Sequence, residues 1–191
     1  MGYLGDTFSP GNDLDAPMKL TRRRILAAGC GLMAAPKLAL AAAPAHRRLK
    51  FQHAHTGERL DVVYFEHGEY LPAALANINH LLRDFRTGEE QPVEKSLLDL
   101  LALLFAQAGE RGAFEVISAF RSSKTNSMLR HNTAGVSERS FHMVGRAVDV
   151  RLTSVPTERL RGAALALRSG GVGYYPKSNF VHIDTGPVRA W

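Results

Sequence analysis

Two segments of the chain alternate apolar and polar residues strictly enough to fix which side chains share a face of a β-sheet. In 147–152 the alternation places Asp149 opposite the apolar side chains, and in 180–184 it does the same for His182 and Asp184. If the two strands are neighbours with their apolar sides in the core, Asp149 and His182 project from the same face. This pattern constrains the fold to a sheet that brings together a carboxylate and an imidazole from distant parts of the chain.

A second histidine, His142, stands shortly before the first of these strands, where Gly145 permits a tight backbone turn. It can therefore fold over the face that carries the other two side chains. Two imidazoles and a carboxylate are the ligand set of a hydrolytic zinc centre, in which a fourth position stays open for water. Such a centre activates water and polarises a carbonyl group, as amide hydrolysis requires. The sequence thus predicts that His142, Asp149 and His182 bind one Zn²⁺.

Each of these three residues also has an ordinary structural explanation. A histidine near the end of a strand is usually a packing or surface residue, and Asp149 alone could cap a turn. The metal interpretation is favoured because spacing, strand phase and a partner on the same face all agree.

The rest of the chain predicts an α+β fold, in which helices pack on a small, mostly antiparallel sheet. Helical spacing of apolar residues and Gly or Pro boundaries predict four helices, at 72–85, 93–108, 122–130 and 157–169. Alternating patterns predict six strands, at 49–52, 59–65, 114–120, 146–152, 172–175 and 179–184. The apolar stripes of the first two helices are interpreted as core rather than as ligand pockets.

The first 45 residues are interpreted as a leader, and residues 46–191 as one domain. Arginines 22–24 are followed by an apolar stretch and then by the small residues 43–45, the order found in a signal peptide of the twin-arginine type. The apolar part is too short for a permanent membrane helix. Met18 could be the natural start, and a merely solvated basic run is the alternative explanation of the arginines. The pattern predicts export to the periplasm by the twin-arginine pathway.

Charge and cysteine content narrow the function classes further. The chain has a net charge of +6, and its one cysteine, Cys30, lies inside the leader, so the mature part can have neither a disulfide framework nor a thiolate metal site. A mild positive charge suits an anionic polymer such as a bacterial cell wall. Nucleic acid is a poor fit, because the arginines are spread out and no basic stripe is interleaved with aromatic residues. We expect the mature chain to have no integral membrane span and to be a monomer.

Arg121 is the candidate for binding substrate. It follows the predicted strand 114–120, and its planar guanidinium can hold a carboxylate through two parallel hydrogen bonds. A peptide stem with a free carboxylate would be such a partner. The alternative is an ordinary surface arginine.

The residues so far described, together with several other motifs, resemble the M15 metallopeptidases and most closely their M15_2 (DUF882) group of murein endopeptidases. The shared motifs are Ser-x-His-x-x-Gly-x-Ala-x-Asp at 140–149, the tail 170–187, Phe-Arg-Ser at 120–122, His-Thr-Gly-Glu at 55–58 and Asn-His-Leu-Leu-Arg-Asp at 79–84. The resemblance implies a fold shared with D-Ala-D-Ala peptidases and the hedgehog domain. It implies a periplasmic zinc hydrolase acting on the peptide cross-links of peptidoglycan, with His142, Asp149 and His182 as ligands and Arg121 near substrate.

One departure from the M15 pattern concerns the general base. Many M15 enzymes have Glu or Asp three residues before the last zinc histidine, where this chain has Asn179. Asp184 is then the first candidate for the base, although it could instead orient an imidazole, and Glu58 and His55 are weaker candidates. Two other functions stay open: a D,D-carboxypeptidase acting on the same peptides, and a wall-binding domain that keeps the metal but has lost turnover.

Overall fold

Eight strands from the residues that the structure describes, 46–133 and 135–191, form one sheet in this computed structural model. The predicted leader, 1–45, lies outside the described residues. The strands are β1 (His46–His53), β2 (Arg59–Glu66), β3 (Glu69–Tyr70), β4 (Phe114–Ser118), β5 (Ala147–Leu152), β6 (Gly171–Tyr175), β7 (Phe180–Asp184) and β8 (Arg189–Ala190). The helices are α1 (Pro72–Leu81), α2 (Lys95–Gln107), α3 (Ser123–Asn132) and α4 (Thr157–Leu167), and a 3₁₀ turn, Phe141–Val144, precedes β5.

The strand order is β3-β2-β1-β4-β5-β7-β6-β8. All neighbouring strands are antiparallel except β1 with β4 and β6 with β8, which are parallel. The predicted α+β class and the mostly antiparallel sheet are therefore confirmed. Within the described ranges, no helix is long and apolar enough to cross a membrane.

The register of β5 against β7 sets the position of the polar residues. Asp149 lies directly opposite His182 in this antiparallel pair. On the other face, Val148, Val150 and Ile183 are fully buried in the core. A slip of one residue would turn these apolar side chains out of the core, and each contributes about 1.5–3 kcal/mol through burial. Core packing thus fixes the register, and the register places the carboxylate beside the imidazole, as predicted.

Helices α1, α2 and α4 cover the apolar face of the sheet. The stripe predicted for α2 forms the centre of this core, and its members Leu97, Leu98, Leu101, Leu104 and Phe105 are all buried. Because these three helices lie on this face, the opposite face of β5 and β7 remains available for a polar site.

Helix α1 ends four residues earlier than predicted. It stops at Leu81 rather than Phe85, because the chain turns at Asp84. The carbonyl of Asp84 accepts hydrogen bonds from the amides of Thr87 and Gly88, and its side chain accepts one from the amide of Arg86. These bonds replace the helical pattern that the apolar spacing alone would continue.

Gly145 ends the 3₁₀ turn in a left-handed conformation with φ of 66°. A Cβ atom at this position would overlap the carbonyl oxygen of Pro92, and the Gly145 carbonyl accepts a hydrogen bond of 2.9 Å from the amide of Glu94. The turn that carries His142 is therefore held against the segment that leads into α2.

We expect Gly145→Ala to lower the free energy of unfolding by about 2–3 kcal/mol, because it adds both backbone strain and a steric overlap. Gly162→Ala is the matched control: it lies within α4, nothing lies within 4 Å of its added Cβ, and the change should stabilise the protein by about 0.5–1 kcal/mol. Urea denaturation of both variants measures the difference. An unchanged stability in Gly145→Ala would contradict the packing described here.

Candidate metal centre

The structure brings His142, Asp149 and His182 together from three elements. His142 comes from the 3₁₀ turn, Asp149 from β5 and His182 from β7, and one potential ligand atom from each lies within 4.8 Å of the others. His182 Nδ1 is 2.8 Å from Asp149 Oδ1, and His142 Nε2 is 3.2 Å from His182 Nδ1. All three side chains are almost completely buried.

The remaining ring nitrogen of each histidine is fixed by a hydrogen bond. His142 Nδ1–H donates to the carbonyl oxygen of Ala119 at 2.7 Å, and His182 Nε2–H donates to Asp184 Oδ2 at 2.9 Å. These bonds orient both rings so that His142 Nε2 and His182 Nδ1 point toward Asp149. A histidine that ligates a metal almost always has its other nitrogen bound in this way. The donor set therefore fits a divalent cation such as zinc.

The pKa values of the two histidines of the cluster shift in opposite directions. Burial lowers the pKa of His142, which favours the neutral imidazole. Burial acts in the same direction on His182, but hydrogen bonds to Asp149 and Asp184 outweigh it and raise the pKa of His182. For Asp149, burial raises the pKa, yet the neighbouring imidazoles of His142 and His182 outweigh that effect and hold it well below its usual range. The carboxylate is therefore charged and available as a ligand.

Asp184 is completely buried behind His182. Besides His182, its carboxylate accepts hydrogen bonds from the amides of Gly171 and Gly186 and from the guanidinium of Arg189, at 2.6–3.1 Å. Although burial works to raise the pKa of Asp184, the hydrogen bonds from His182 and Arg189 keep it well below its usual range. Because the Asp184 carboxylate is buried and already accepts several hydrogen bonds, it is poorly suited to accept a proton from water. Its hydrogen bond with the His182 ring favours a role in orienting that imidazole.

Arg121 lies directly beside the three residues. Its Nε donates to Ser118 Oγ at 2.8 Å, and its Nη2 donates to Asp149 Oδ2 at 2.6 Å and lies 3.2 Å from His142 Nε2. Asp149 thus presents Oδ1 to the imidazoles and Oδ2 to the guanidinium. A metal bound by His142 Nε2 would need the lone pair of that nitrogen, so the Arg121 contact to the ring would have to open. Contact between Arg121 and a substrate carboxylate stays a prediction.

The two weaker candidates for the general base, and the asparagine that stands where many M15 enzymes have the base, lie apart from this cluster. Asn179 accepts a hydrogen bond from Thr157 Oγ1 at 2.9 Å, at the start of α4. Glu58 forms an ion pair with Arg83, and the ring of His55 stacks on Phe85 at 4.3 Å. Neither of the two weaker candidates, Glu58 and His55, lines the cleft in front of the potential metal ligands, and Asn179 does not line it either.

Two residues of the site, Arg189 and Trp191, were missed by the sequence reasoning. The short strand β8 pairs with β6 and returns both side chains over the site. Arg189 binds Asp184, and the indole ring of Trp191 lies 5.3 Å from the ring of His182. A Cβ atom on Gly173 would approach that indole to 2.6 Å. The alternating glycines of the Gly-Val-Gly segment at 171–173 were the available signal, because they leave room for large side chains on this face.

An open cleft of about 500 Å³ leads to the candidate metal centre. Its lining includes Arg121 and the three potential ligands. Arg139 before the 3₁₀ turn and Phe141 at its start also line it, as do four residues toward the end of the chain, Tyr175, Phe180, Arg189 and Trp191. The rings of Tyr175 and Phe180 stack at 4.6 Å, and Trp191 Nε1–H donates to the Tyr175 hydroxyl at 3.0 Å. The site is thus a buried cluster of potential ligands at the base of a cleft with aromatic and basic side chains.

Comparison with known proteins agrees with this geometry. The family model of peptidase M15_2, described as peptidoglycan L,D-endopeptidase MepK, matches residues 41–191. Peptidoglycan L,D-endopeptidase MepK of Escherichia coli K12 is 39% identical over 175 residues, which are 89% of this chain and 96% of the relative. The probable peptidoglycan L,D-endopeptidase MepK of Haemophilus influenzae is 39% identical over 167 residues, 87% of this chain and 90% of the relative. The predicted resemblance is confirmed, and this chain belongs to the M15_2 peptidase family.

Proposed function

We propose that this protein is a zinc-dependent endopeptidase that cleaves the peptide cross-links of bacterial peptidoglycan. The observation that carries the proposal is the cluster of His142, Asp149 and His182 at the base of an open cleft. The ring nitrogen of each histidine that faces away from the cluster is held by a hydrogen bond, which fixes the orientation of both imidazoles. The two relatives that are 39% identical over aligned stretches of 175 and 167 residues are named for peptidoglycan endopeptidase activity, which indicates the same substrate polymer here.

In this proposal each surrounding residue has a defined task. Zinc at such a centre supplies a Lewis acid that activates water and polarises the scissile carbonyl. Ala119 and Asp184 hold the two imidazoles in the orientation that binding requires. Arg121 steadies the Asp149 carboxylate through Oδ2 while Oδ1 faces the imidazoles, so a contact between Arg121 and a carboxylate of the peptide stem would require part of this pairing to open.

The place of action follows from the leader. We infer that residues 1–45 direct export by the twin-arginine pathway and that the domain 46–191 works in the periplasm as a monomer, bound to peptide stems. An exported location agrees with a substrate that lies outside the cytoplasmic membrane.

The proposal is tested with the purified protein, intact peptidoglycan and purified cross-linked muropeptides, with products followed by mass spectrometry. We expect cross-linked species to be converted to monomers, and we expect a chelator to stop the reaction and zinc to restore it. Release of terminal D-Ala alone would point instead to a carboxypeptidase. Stoichiometric zinc without any cleavage would point to a wall-binding domain.

Asp184→Asn tests the orienting role. The amide keeps the size of the side chain but cannot satisfy the same set of donors, so we expect zinc affinity to fall by about 10–100-fold. Asp61→Asn is the control, because Asp61 makes a solvent-exposed ion pair with Arg48 and neither residue lines the cleft. Competition with a coloured zinc chelator measures the affinities. Should Asp184→Asn bind zinc as tightly as the control, the carboxylate does not support His182.

A further inference from the structure

Three arginines line the cleft, and two of them are neutralised by acids of the protein itself. Arg121 forms an ion pair of 2.6 Å with Asp149, and Arg189 forms one of 2.6 Å with Asp184. Both of these carboxylates are buried. The charge of each of these guanidiniums is therefore largely balanced within the cluster of potential metal ligands and its support.

The third arginine, Arg139, is different. It is exposed, and within 46–133 and 135–191 it makes no ion pair and no side-chain hydrogen bond. The adjacent acid, Glu138, pairs instead with Arg130 at 3.4 Å. Arg139 thus gives the cleft a positive charge that no acid of the described chain balances, and its five N–H donors are available to a ligand.

The position of Arg139 relative to the candidate metal centre is set by the turn that follows it. Ser140 caps the 3₁₀ turn, accepting a hydrogen bond from the amide of His142 at its hydroxyl and from the amide of Met143 at its carbonyl. His142 is the third residue after Arg139, so the Cα atoms of the two can be at most about 11 Å apart. A group bound by Arg139 would lie within a few residues of a peptide bond held at the centre.

We propose that Arg139 binds a free carboxylate of the peptide stem and so makes the cleft selective for anionic peptides. This inference rests on the proposed function, since it assigns a substrate contact to the same cleft. The planar guanidinium accommodates a carboxylate through two parallel hydrogen bonds, which a lysine cannot reproduce. Arg139 is a specificity residue, distinct from the residues that hold the metal.

The sole tryptophan of the chain, Trp191, reports binding directly, because it lines the same cleft. Its fluorescence is followed during titration with a peptidoglycan stem tetrapeptide and with the same peptide after its carboxylates are converted to amides. We expect the wild-type protein to bind the carboxylate form about tenfold more tightly at low salt, and the preference to weaken as salt rises. Arg139→Ala should lose the preference, and Arg139→Lys should keep only part of it.

Arg159→Ala is the matched control, because it removes the same charge from an exposed position on α4 outside the cleft. It should retain the full preference. The KM for cleavage of free and amidated cross-linked muropeptides is the second measurement, and Arg139→Ala should raise KM for the free form with kcat nearly unchanged. Equal binding and equal KM for both forms in the wild type, or a preference that survives in Arg139→Ala, would overturn the inference. Carboxylate-selective binding without any cleavage would overturn the proposed function and leave the Arg139 site standing.

Discussion

His142→Ala is expected to lower kcat/KM for cleavage of peptidoglycan cross-links by at least about a thousandfold. The change removes one of three protein ligands and leaves His182 and Asp149, which together cannot complete a hydrolytic zinc site. Loss of the several kcal/mol that such a metal contributes to the transition state corresponds to a factor of this size. Elemental analysis of the purified variant should show far less than one zinc per chain.

His131→Ala is the control for this variant. His131 is an exposed histidine on α3 and does not line the cleft, so its loss should leave both zinc content and cleavage unchanged. Because the His142 ring is buried against the carbonyl of Ala119, thermal unfolding has to confirm that the variant is folded. A folded His142→Ala protein that still binds one zinc and still cleaves cross-links would contradict the proposed centre.

The part of the site that could be predicted from sequence is the part that depends on strand alternation. Asp149 and His182 lie opposite each other because the apolar residues on either side of each must face the core. Only one register of the two strands buries all of those apolar residues. The apolar stripe of α2 was predictable for the same reason, because the helical spacing of its apolar residues shows which face of the helix is buried.

The rest of the site depends on contacts between segments whose own sequences carry little signal. Strand β8 has two residues, and only its parallel pairing with β6 brings Arg189 and Trp191 to the site. The engagement of Arg121 by Asp149 likewise depends on the pairing of β4 with β5. Sequence alone could identify the arginine as a cation near the strand end, but not which acid it would meet.

Asp84 is a further residue whose contacts could not be predicted from the sequence, because the apolar pattern predicted a helix that continues through it. The side chain is only 1% exposed, and it accepts hydrogen bonds from the amide and hydroxyl of Ser122 and from the amide of Arg86, at 2.7–3.0 Å. Ser122 in turn caps α3 and directly follows Arg121. One buried carboxylate therefore joins the end of α1 to the segment that carries the arginine of the site.

We expect Asp84→Asn to lower the free energy of unfolding by about 3 kcal/mol at pH 7. An amide nitrogen would face donors that need an acceptor, and each buried donor left unsatisfied costs about 1–3 kcal/mol. That is a large part of the 5–15 kcal/mol by which a domain is usually stable. Asp61→Asn, at an exposed ion pair, should change stability by less than about 0.5 kcal/mol.

The pH dependence of this loss distinguishes a charged carboxylate from mere packing. Burial by itself raises the pKa of Asp84, but hydrogen bonds from Thr125 and Ser122 outweigh it, so the folded pKa lies below the ordinary value of 3.8. A depressed folded pKa means that the stabilisation is fully present above the unfolded pKa, about 3.9, and is lost as the pH falls through the folded pKa. Urea denaturation between pH 7 and pH 3 should therefore show the gap between wild type and Asp84→Asn narrowing below about pH 4, because the wild-type carboxylate then takes up a proton and the amide does not. A gap that stays constant over this range would mean that Asp84 stabilises the turn through its shape and not through its charge.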